Sequence, residues 1–205
     1  SYPAFGLQTM GEKAIAATQP DGNMSLDLKI EQVKQYPTKD GEVTEILLKD
    51  KVYPFEIKQY YKAYQGTDII STWIEIMNNG KKSVTLYRFV SAYLPVQRGD
   101  NWLTHFHGHW GAENMLEEEK LTNGQKVISN KDGMVNTETD NPSFMLSIDG
   151  KPQEEYGHIL GGTLAWTGNC LLKMDITNTK LNIIAGINEE NSHYKLEPKE
   201  TFKTP

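Results

Sequence analysis

The chain has 205 residues, of which 38% are hydrophobic and 23% are charged, and its formal net charge is -6. This composition supports a sizeable buried core, excludes a disordered chain or a membrane span, and argues against nucleic-acid binding, which needs a basic face. Neutral sugars need no such charge, so carbohydrate remains open as a ligand. Cys170 is the only cysteine, which excludes a disulfide within the chain and a cysteine zinc cluster. The compartment is left open between cytoplasm and periplasm, with a soluble protein expected in either.

The first half of the chain predicts strands. Residues 26–31 alternate apolar and polar side chains, a period of two with one buried face. Phe55–Tyr64 alternates less cleanly but is rich in strand-forming residues. Ile69–Met77 is a third predicted strand. It ends at the tight-turn signal Asn78–Lys81, so Ser83–Leu94 is expected to be its hairpin partner.

The second half continues this pattern. Further strands are predicted at Ser143–Ile148, Ile159–Trp166, Cys170–Thr177, Leu181–Ile187 and Thr201–Thr204. Turn residues such as Asp149-Gly150 separate them. No segment has a strong helical period, because the helix formers of Met115–Lys120 span only about one and a half turns. The spacing of strands and turns predicts an all-β fold, one large antiparallel β-sandwich domain over residues 1–205.

The apolar positions of these strands give the predicted core. Its members are Leu26, Leu28, Ile30, Phe55, Ile57, Trp73, Leu86, Leu164, Trp166, Leu172 and Ile183.

The densest cluster of polar and aromatic residues lies at Asp100–Glu113. On a strand, His105, His107 and His109 would share one face and could converge on a metal ion. The alternative is three polar side chains that line a wet groove or an interface. We favour this alternative, because no fourth ligand is evident and Gly108 would interrupt the strand. We therefore expect neither a metal nor a cofactor.

Other motifs carry less chemistry. Glu113 and Glu117–Glu119 could suggest the paired carboxylates of glycoside hydrolysis, but consecutive glutamates beside a lysine are typical of a solvated face. The sequence has no motif for an acyl-transfer nucleophile and no phosphate-binding glycine loop. Gly161-Gly162, inside an apolar run, indicates a bulge or a close backbone approach. The residues alone therefore indicate a β-sandwich with one aromatic, histidine-rich edge.

Short motifs follow one another along the whole chain. They are Tyr2-Pro3-Ala4-Phe5-Gly6, Asn78-Asn79-Gly80 with Val84-Thr85-Leu86, His105–Trp110, Gly133 with Asn141-Pro142 and Phe144, Tyr156-Gly157 with Trp166–Asn169, Gly186-Ile187-Asn188, and Leu196–Phe202. In this order and spacing they resemble the N-terminal domain of glycoside hydrolase family 36, mostly α-galactosidases of bacteria and fungi.

The resemblance implies a twisted β-sandwich, a supersandwich of the galactose-mutarotase-like type, packed against a (β/α)8 barrel. In the family two aspartates on that barrel, a nucleophile and an acid/base, hydrolyse the substrate with retention at the sugar. A barrel needs about 250 residues, so the chain is expected to end before it and to hold no catalytic residue. It would be the noncatalytic domain of a retaining α-galactosidase that hydrolyses terminal α-galactosyl residues in oligosaccharides. The complete enzyme would be a homo-oligomer.

The sequence also departs from the family pattern. Leu7-Gln8-Thr9-Met10-Gly11 stands where the family usually has Asp-Phe-Arg, which reaches an active site across an oligomer contact. Ala112 replaces the arginine of an Arg-Glu pair, whereas Glu113 remains. Thr137-Glu138-Thr139-Asp140 replaces the usual histidines before Asn-Pro. These departures leave the preferred sugar open.

Trp110 is the residue that the resemblance most directly connects with function. It matches the tryptophan of the family's His-x-x-Gly-x-Trp segment, which lies toward the barrel mouth. An indole stacks on the apolar C–H face of galactose, while polar neighbours, here His107, His109 and Glu113, bind the hydroxyls. The alternative is a core tryptophan beside a bend.

Two other functions remain open. The chain could be a free-standing carbohydrate-binding sandwich, since aromatic edges bind sugars in many such folds, or a structural module without a ligand. About 250 further residues of strand–helix alternation after Pro205 would support the enzyme domain. The partners expected for that domain are the barrel and an α-galactoside, with neither nucleic acid nor membrane.

Overall fold

A computed structural model describes residues 2–6, 11–134, 140–190 and 192–205, and within these ranges it contains strands, turns and coil but no helix. The strands are β1 (Ile15–Thr18), β2 (Leu28–Thr38), β3 (Gly41–Asp50), β4 (Phe55–Tyr64), β5 (Ile70–Asn78), β6 (Val84–Gln97), β7 (Trp102–His109), β8 (Ala112–Lys120), β9 (Gly124–Asn130), β10 (Asp140–Ser147), β11 (Ile159–Gly162), β12 (Cys170–Ile176), β13 (Lys180–Ile187), β14 (Tyr194–Leu196) and β15 (Thr201–Lys203). The expected all-β fold of antiparallel sheets is confirmed. In the described ranges nothing helical is long and apolar enough to cross a membrane.

The chain forms two compact units. Unit 1 comprises Ser1–Ala92 and Asn191–Pro205, and unit 2 comprises Tyr93–Glu190. Strand β6 begins in unit 1 and ends in unit 2. The expectation that residues 1–205 are one domain followed by a barrel stays a prediction.

Unit 1 contains a five-stranded sheet with the order β15-β5-β4-β3-β2. The central strand β4 buries Phe55 and Ile57 through its alternation, as predicted. Strand β2 lies at the edge, and its residues after Leu28 are exposed on both faces. Ile30 is therefore 64% exposed, and its prediction as a core residue is wrong. The two-residue period of β2 is real, but neither of its faces is buried beyond Leu28.

The predicted hairpin of β5 with β6 is also wrong. Asn78 does bend the chain, since its Oδ1 accepts a hydrogen bond from the Gly80 N–H at 2.9 Å. However, β5 already has β4 on one side and β15 on the other, where Thr201 lies opposite Met77. Because both edges of β5 are occupied, β6 pairs instead with β1 and β14 within unit 1.

Unit 2 contains two groups of paired strands, β13-β12-β9 and β11-β10-β7-β8. Its core consists of buried apolar side chains from these strands and the segment after β8. They are Leu103, Leu121, Ile128, Phe144, Leu146, Leu172, Met174, Ile176, Leu181 and Ile183. On β11, Gly162 lies opposite Phe144, and a Cβ at Gly162 would stand 2.6 Å from that ring. Gly162 therefore allows a close approach of the Phe144 side chain, whereas at Gly161 a Cβ would lie 3.9 Å from the Phe144 carbonyl oxygen, an ordinary contact.

Most of the predicted core is buried, and this confirms the positions Leu26, Leu28, Phe55, Ile57, Leu86, Leu172 and Ile183. Trp73 and Leu164 are half-buried. Trp166 is 41% exposed, so its core prediction is wrong. The strand predicted at Ile159–Trp166 ends at Gly162, and the Trp166 ring lies over Gly168, where a Cβ would be 2.7 Å from the indole nitrogen.

The sequence predictions omitted five strands, β1, β3, β8, β9 and β14, and considered β7 only as a possible strand. The segment Met115–Lys120, rich in helix formers, lies in β8, where it pairs residue by residue with β7. This pairing overrides the helix propensity of its glutamates.

Candidate functional site

The hairpin of β7 and β8 carries the residues that the sequence singles out. Trp110-Gly111 form its turn, and the φ angle of Gly111 is 80°, a left-handed conformation that favours glycine. The pairing shifts register between His107 and His109. At Gly108, between them, a Cβ would lie 2.8 Å from the carbonyl oxygen of Ala112, so the tight backbone approach also requires glycine.

Trp110 lies at the tip of this hairpin and is 82% exposed. A side chain in a two-residue turn projects beyond the last cross-strand pair, so it does not enter the sheet's core. The structure contradicts the alternative of a core tryptophan. It leaves a flat apolar ring beside polar groups, the arrangement that suits a sugar's C–H face. Sugar binding by this ring stays a prediction.

His107 is held by a carboxylate that the sequence predictions did not include among the site residues. Its Nδ1 lies 2.9 Å from Asp140 Oδ1, and the two residues are directly opposite each other on β7 and β10. Asp140 Oδ2 also accepts a hydrogen bond from the Ser129 N–H at 3.4 Å. The imidazole is thus fixed by a carboxylate that is itself tied to β9.

His109 and Glu113 lie on either side of the turn, and both are exposed. His109 Nδ1 lies 3.0 Å from the backbone carbonyl oxygen of Trp110. Because a carbonyl only accepts, His109 must donate from Nδ1 in this contact. The four predicted site residues, His107, His109, Trp110 and Glu113, therefore lie on one hairpin, near or in its turn.

His105 is separate from these residues. It is almost fully buried, with Nε2 at 3.2 Å from Glu119 Oε1 and at 3.5 Å from Glu117 Oε2. Its Nδ1 is buried without a hydrogen-bond partner among the described residues. The described part of the chain contains no group of three His, Cys, Asp or Glu side chains placed to hold a metal ion.

The glutamates of β8 differ in burial and in ion pairing. Glu119 forms an ion pair with Lys126. Burial opposes ionisation of Glu119, but the Lys126 ammonium and the His105 imidazole together outweigh it, so the pKa of this carboxyl lies below its ordinary value. Glu117 and Glu118 are exposed, in agreement with a solvated face.

Asn114 and Asn141 complete the surroundings of the hairpin tip. Asn141 Nδ2 donates to Asn114 Oδ1 at 3.4 Å. Asn114 has a φ of 52°, an uncommon conformation outside glycine that asparagine tolerates better than most residues. In the sequence Asp140 and Asn141 directly precede Pro142, but only the structure shows that Asp140 contacts His107 and that Asn141 contacts Asn114.

Two of the departures from the family pattern fall largely outside the described residues. These are Leu7–Gly11, of which only Gly11 is described, and Thr137–Asp140. Of the second segment only Asp140 is described, and it is the partner of His107.

Two open cavities lie in unit 1, and no predicted site residue lines either of them. One, of about 280 Å³, is lined by residues that include Gln19, Tyr53 and Lys82. The other, of about 430 Å³, is lined by residues that include Asn23, Asp50 and Tyr53. The hairpin tip is an exposed surface and lines neither cavity. The chemistry of its residues, rather than a pocket, makes it the candidate site.

A family model, described as the glycosyl hydrolase family 36 N-terminal domain, matches residues 1–197. The chain is 24% identical to the α-galactosidase AgaA of Geobacillus stearothermophilus and 27% identical to the α-galactosidase Mel36A of Lactobacillus acidophilus. Each alignment covers 100% of this chain and 30% of the relative, so the chain spans under a third of their length.

Solved structures show the same fold. The crystal structure of AgaA matches with a TM-score of 0.92 at 24% identity, over 100% of this chain and 30% of that one. The α-galactosidase of Lactobacillus brevis matches with a TM-score of 0.89 at 23% identity, over 100% and 29% of the respective chains.

Proposed function

Because this chain belongs to the glycosyl hydrolase family 36 N-terminal domain family, as its motifs predicted, we propose that it is the noncatalytic N-terminal part of a retaining α-galactosidase. The enzyme would hydrolyse terminal α-galactosyl residues of oligosaccharides. AgaA and Mel36A are named α-galactosidases, and variants of AgaA were crystallised with stachyose and with raffinose. These names support the proposed substrate class.

The domain would pack on a catalytic barrel and help to shape its sugar pocket or the contacts of a homo-oligomer. The observation that carries this proposal is the exposed indole of Trp110 on a hairpin whose backbone is fixed by two glycines. His107, His109 and Glu113 lie on the same hairpin and would supply the hydrogen-bonding groups. An apolar ring with polar neighbours is the combination that a pyranose requires.

The test is the substitution Trp110→Ala in the complete protein. We expect kcat/KM for raffinose to fall by at least about tenfold, while the melting temperature stays nearly unchanged, because an exposed ring contributes little to stability. Tyr156→Ala, at another exposed aromatic residue of unit 2, is the control and should leave kinetics intact. A stable Trp110→Ala enzyme with unaltered kinetics would refute the pocket role.

A free-standing carbohydrate-binding module is the second candidate, and the same exposed indole favours it. The 205-residue chain alone distinguishes the two functions. The enzyme-domain proposal expects no turnover of a chromogenic α-galactoside and only weak raffinose binding, because the barrel would supply most of the pocket. Tight binding of raffinose by the chain alone, lost in Trp110→Ala, would favour the module.

A further inference from the structure

The candidate site contains an imidazole, that of His107, whose carboxylate partner no motif identifies. Asp140 lies directly across from it, on the neighbouring strand β10. Side chains of directly opposed residues approach closely in an antiparallel pair, so the short aspartate reaches the nearer ring nitrogen. The distance from Asp140 Oδ1 to His107 Nδ1 is 2.9 Å, that of a charge-assisted hydrogen bond.

The carboxylate is the better fixed member of this pair. Asp140 Oδ2 faces the Ser129 N–H of β9 at 3.4 Å, and Ser129 Oγ accepts a hydrogen bond from Asn188 Nδ2 at 2.9 Å. The Asp140 side chain is 26% exposed, against 53% for His107. The Asp140 carboxylate is therefore held in place by the surrounding strands, and the more exposed His107 imidazole is the side chain of this pair that a ligand can reach.

The chemistry of the pair determines which ring nitrogen carries the proton. An ionised carboxylate only accepts hydrogen bonds, so Nδ1 must donate and the neutral ring keeps its lone pair on Nε2. We propose that Asp140 is a positioning residue that fixes this tautomer of His107, so that Nε2 accepts a hydrogen bond from a sugar hydroxyl. This inference rests on the proposed sugar-binding function of the hairpin tip.

His109 provides an internal comparison. Its Nδ1 faces the backbone carbonyl oxygen of Trp110 at 3.0 Å, and a carbonyl also only accepts. Both exposed imidazoles beside Trp110 then offer an Nε2 lone pair. The two rings together select ligands that donate O–H groups, as a pyranose does. The acceptor for His109 is a backbone carbonyl, which a side-chain substitution does not remove. The acceptor for His107 is the side chain of Asp140, which can be substituted.

The test is Asp140→Asn, a nearly isosteric change whose amide can donate to Nδ1. Long-range proton–nitrogen NMR spectra of the 205-residue chain report the tautomer of each histidine. We expect the original chain to show His107 with hydrogen on Nδ1, and Asp140→Asn to shift it toward hydrogen on Nε2. His109 should keep its tautomer in both. Asp140→Ala, which removes the acceptor, serves as the second variant and should give a mixture of tautomers.

The kinetic consequence is measured in the complete protein. Asp140→Asn should lower kcat/KM for raffinose by about tenfold, the loss expected when an acceptor toward a hydroxyl becomes a donor. An unchanged His107 tautomer in both variants would overturn the positioning role, and a reversed tautomer with unaltered kinetics would overturn the hydroxyl contact. Trp110→Ala separates this result from the proposed function, because it tests the pocket while leaving the His107 tautomer in place.

Discussion

Two tryptophans, one in each unit, show that the same side chain can pack against a neighbouring strand in one place and remain exposed in another. Trp73 in β5 stacks on Tyr60 of β4, with ring centroids 4.9 Å apart and planes inclined by 7°. The Lys203 ammonium lies 5.0 Å from the same ring. Trp110 is in the turn of a hairpin and remains 82% exposed.

The difference in exposure between the two tryptophans follows from where each lies in the strand pairing, since the residue type is the same. Trp73 is the direct cross-strand partner of Tyr60, so a neighbouring ring covers it. Trp110 lies beyond the last pair of its hairpin, where no opposing residue exists on the other strand. A covered aromatic residue contributes to stability, and an exposed one next to polar groups is a candidate for binding.

The sharpest test of this distinction uses a residue type that occurs in both environments of unit 1. Ile57 is completely buried in β4, whereas Ile30 is 64% exposed in β2. Ile57→Ala should lower the free energy of unfolding by about 4 kcal/mol, since it removes buried methyl groups and leaves a cavity. Ile30→Ala should cost less than about 0.5 kcal/mol. Urea unfolding measures both, and equal losses would contradict the assignment of β2 as an open edge.

The tryptophans themselves come next. Trp73→Ala should cost about 3 kcal/mol, because it removes the stacked ring and the ammonium contact as well as buried apolar area. Trp110→Ala should cost less than about 0.5 kcal/mol. A thermal or urea melt of the two variants compares them directly. If Trp110→Ala proved the more destabilising, the turn ring would be a structural residue and the comparison would fail.

A smaller effect is expected at the ion pair of Glu119 with Lys126 in unit 2. The folded-state pKa of Glu119 is lowered, so this pair stabilises the fold above the ordinary value of 4.5 and loses its contribution as pH falls through the lower folded pKa. The pair is partly exposed and screened, so its contribution is about 0.5 kcal/mol.

The variant that removes the cation is Lys126→Met. An NMR titration of the Glu119 side chain should show its pKa rising in this variant, and the acid-side loss of stability below about pH 4.5 should become shallower. Lys120→Met, at a lysine paired with Asp100 instead, is the control and should leave the Glu119 pKa unchanged. An unaltered Glu119 titration in Lys126→Met would contradict this assignment of the cause.

Local patterns predicted much of this fold, because a two-residue period reports which side chains share a face. That was enough for Phe55 and Ile57 in β4. It was not enough for Ile30, because a period does not say whether another layer covers the face. Strand partnership is also nonlocal, so the turn at Asn78 was recognised while the pairing of β6 was not.

The candidate site shows the same division between local and distant information. Trp110 and its flanking glycines are contiguous, so the turn could be inferred from the sequence together with the family resemblance. The role of Asp140 could not, because it lies 33 residues from His107 and meets it only when β10 pairs with β7. Asp140 also belongs to the segment Thr137–Asp140, which departs from the family pattern, so the resemblance gave no signal for it.

The smallest expected effect, an absence of change, concerns the alternate histidines of β7. A zinc site requires imidazole lone pairs that converge at about 2 Å from one point. In this hairpin His105 is buried and its Nε2 faces Glu119, so only His107 and His109 direct an Nε2 lone pair away from their hydrogen-bond partners. Two imidazoles are too few for a structural zinc site, and the described residues contain no group of three side chains placed to hold a metal ion. The pairing of β7 with β8 also shifts register between His107 and His109. EDTA should therefore leave the melting temperature unchanged, because no metal-binding free energy contributes to folding.

The control for the ionic strength that EDTA adds is EDTA already saturated with calcium. A fall of many degrees in EDTA alone, reversed by zinc, would make these histidines a structural metal site and end their assignment to the sugar-binding surface.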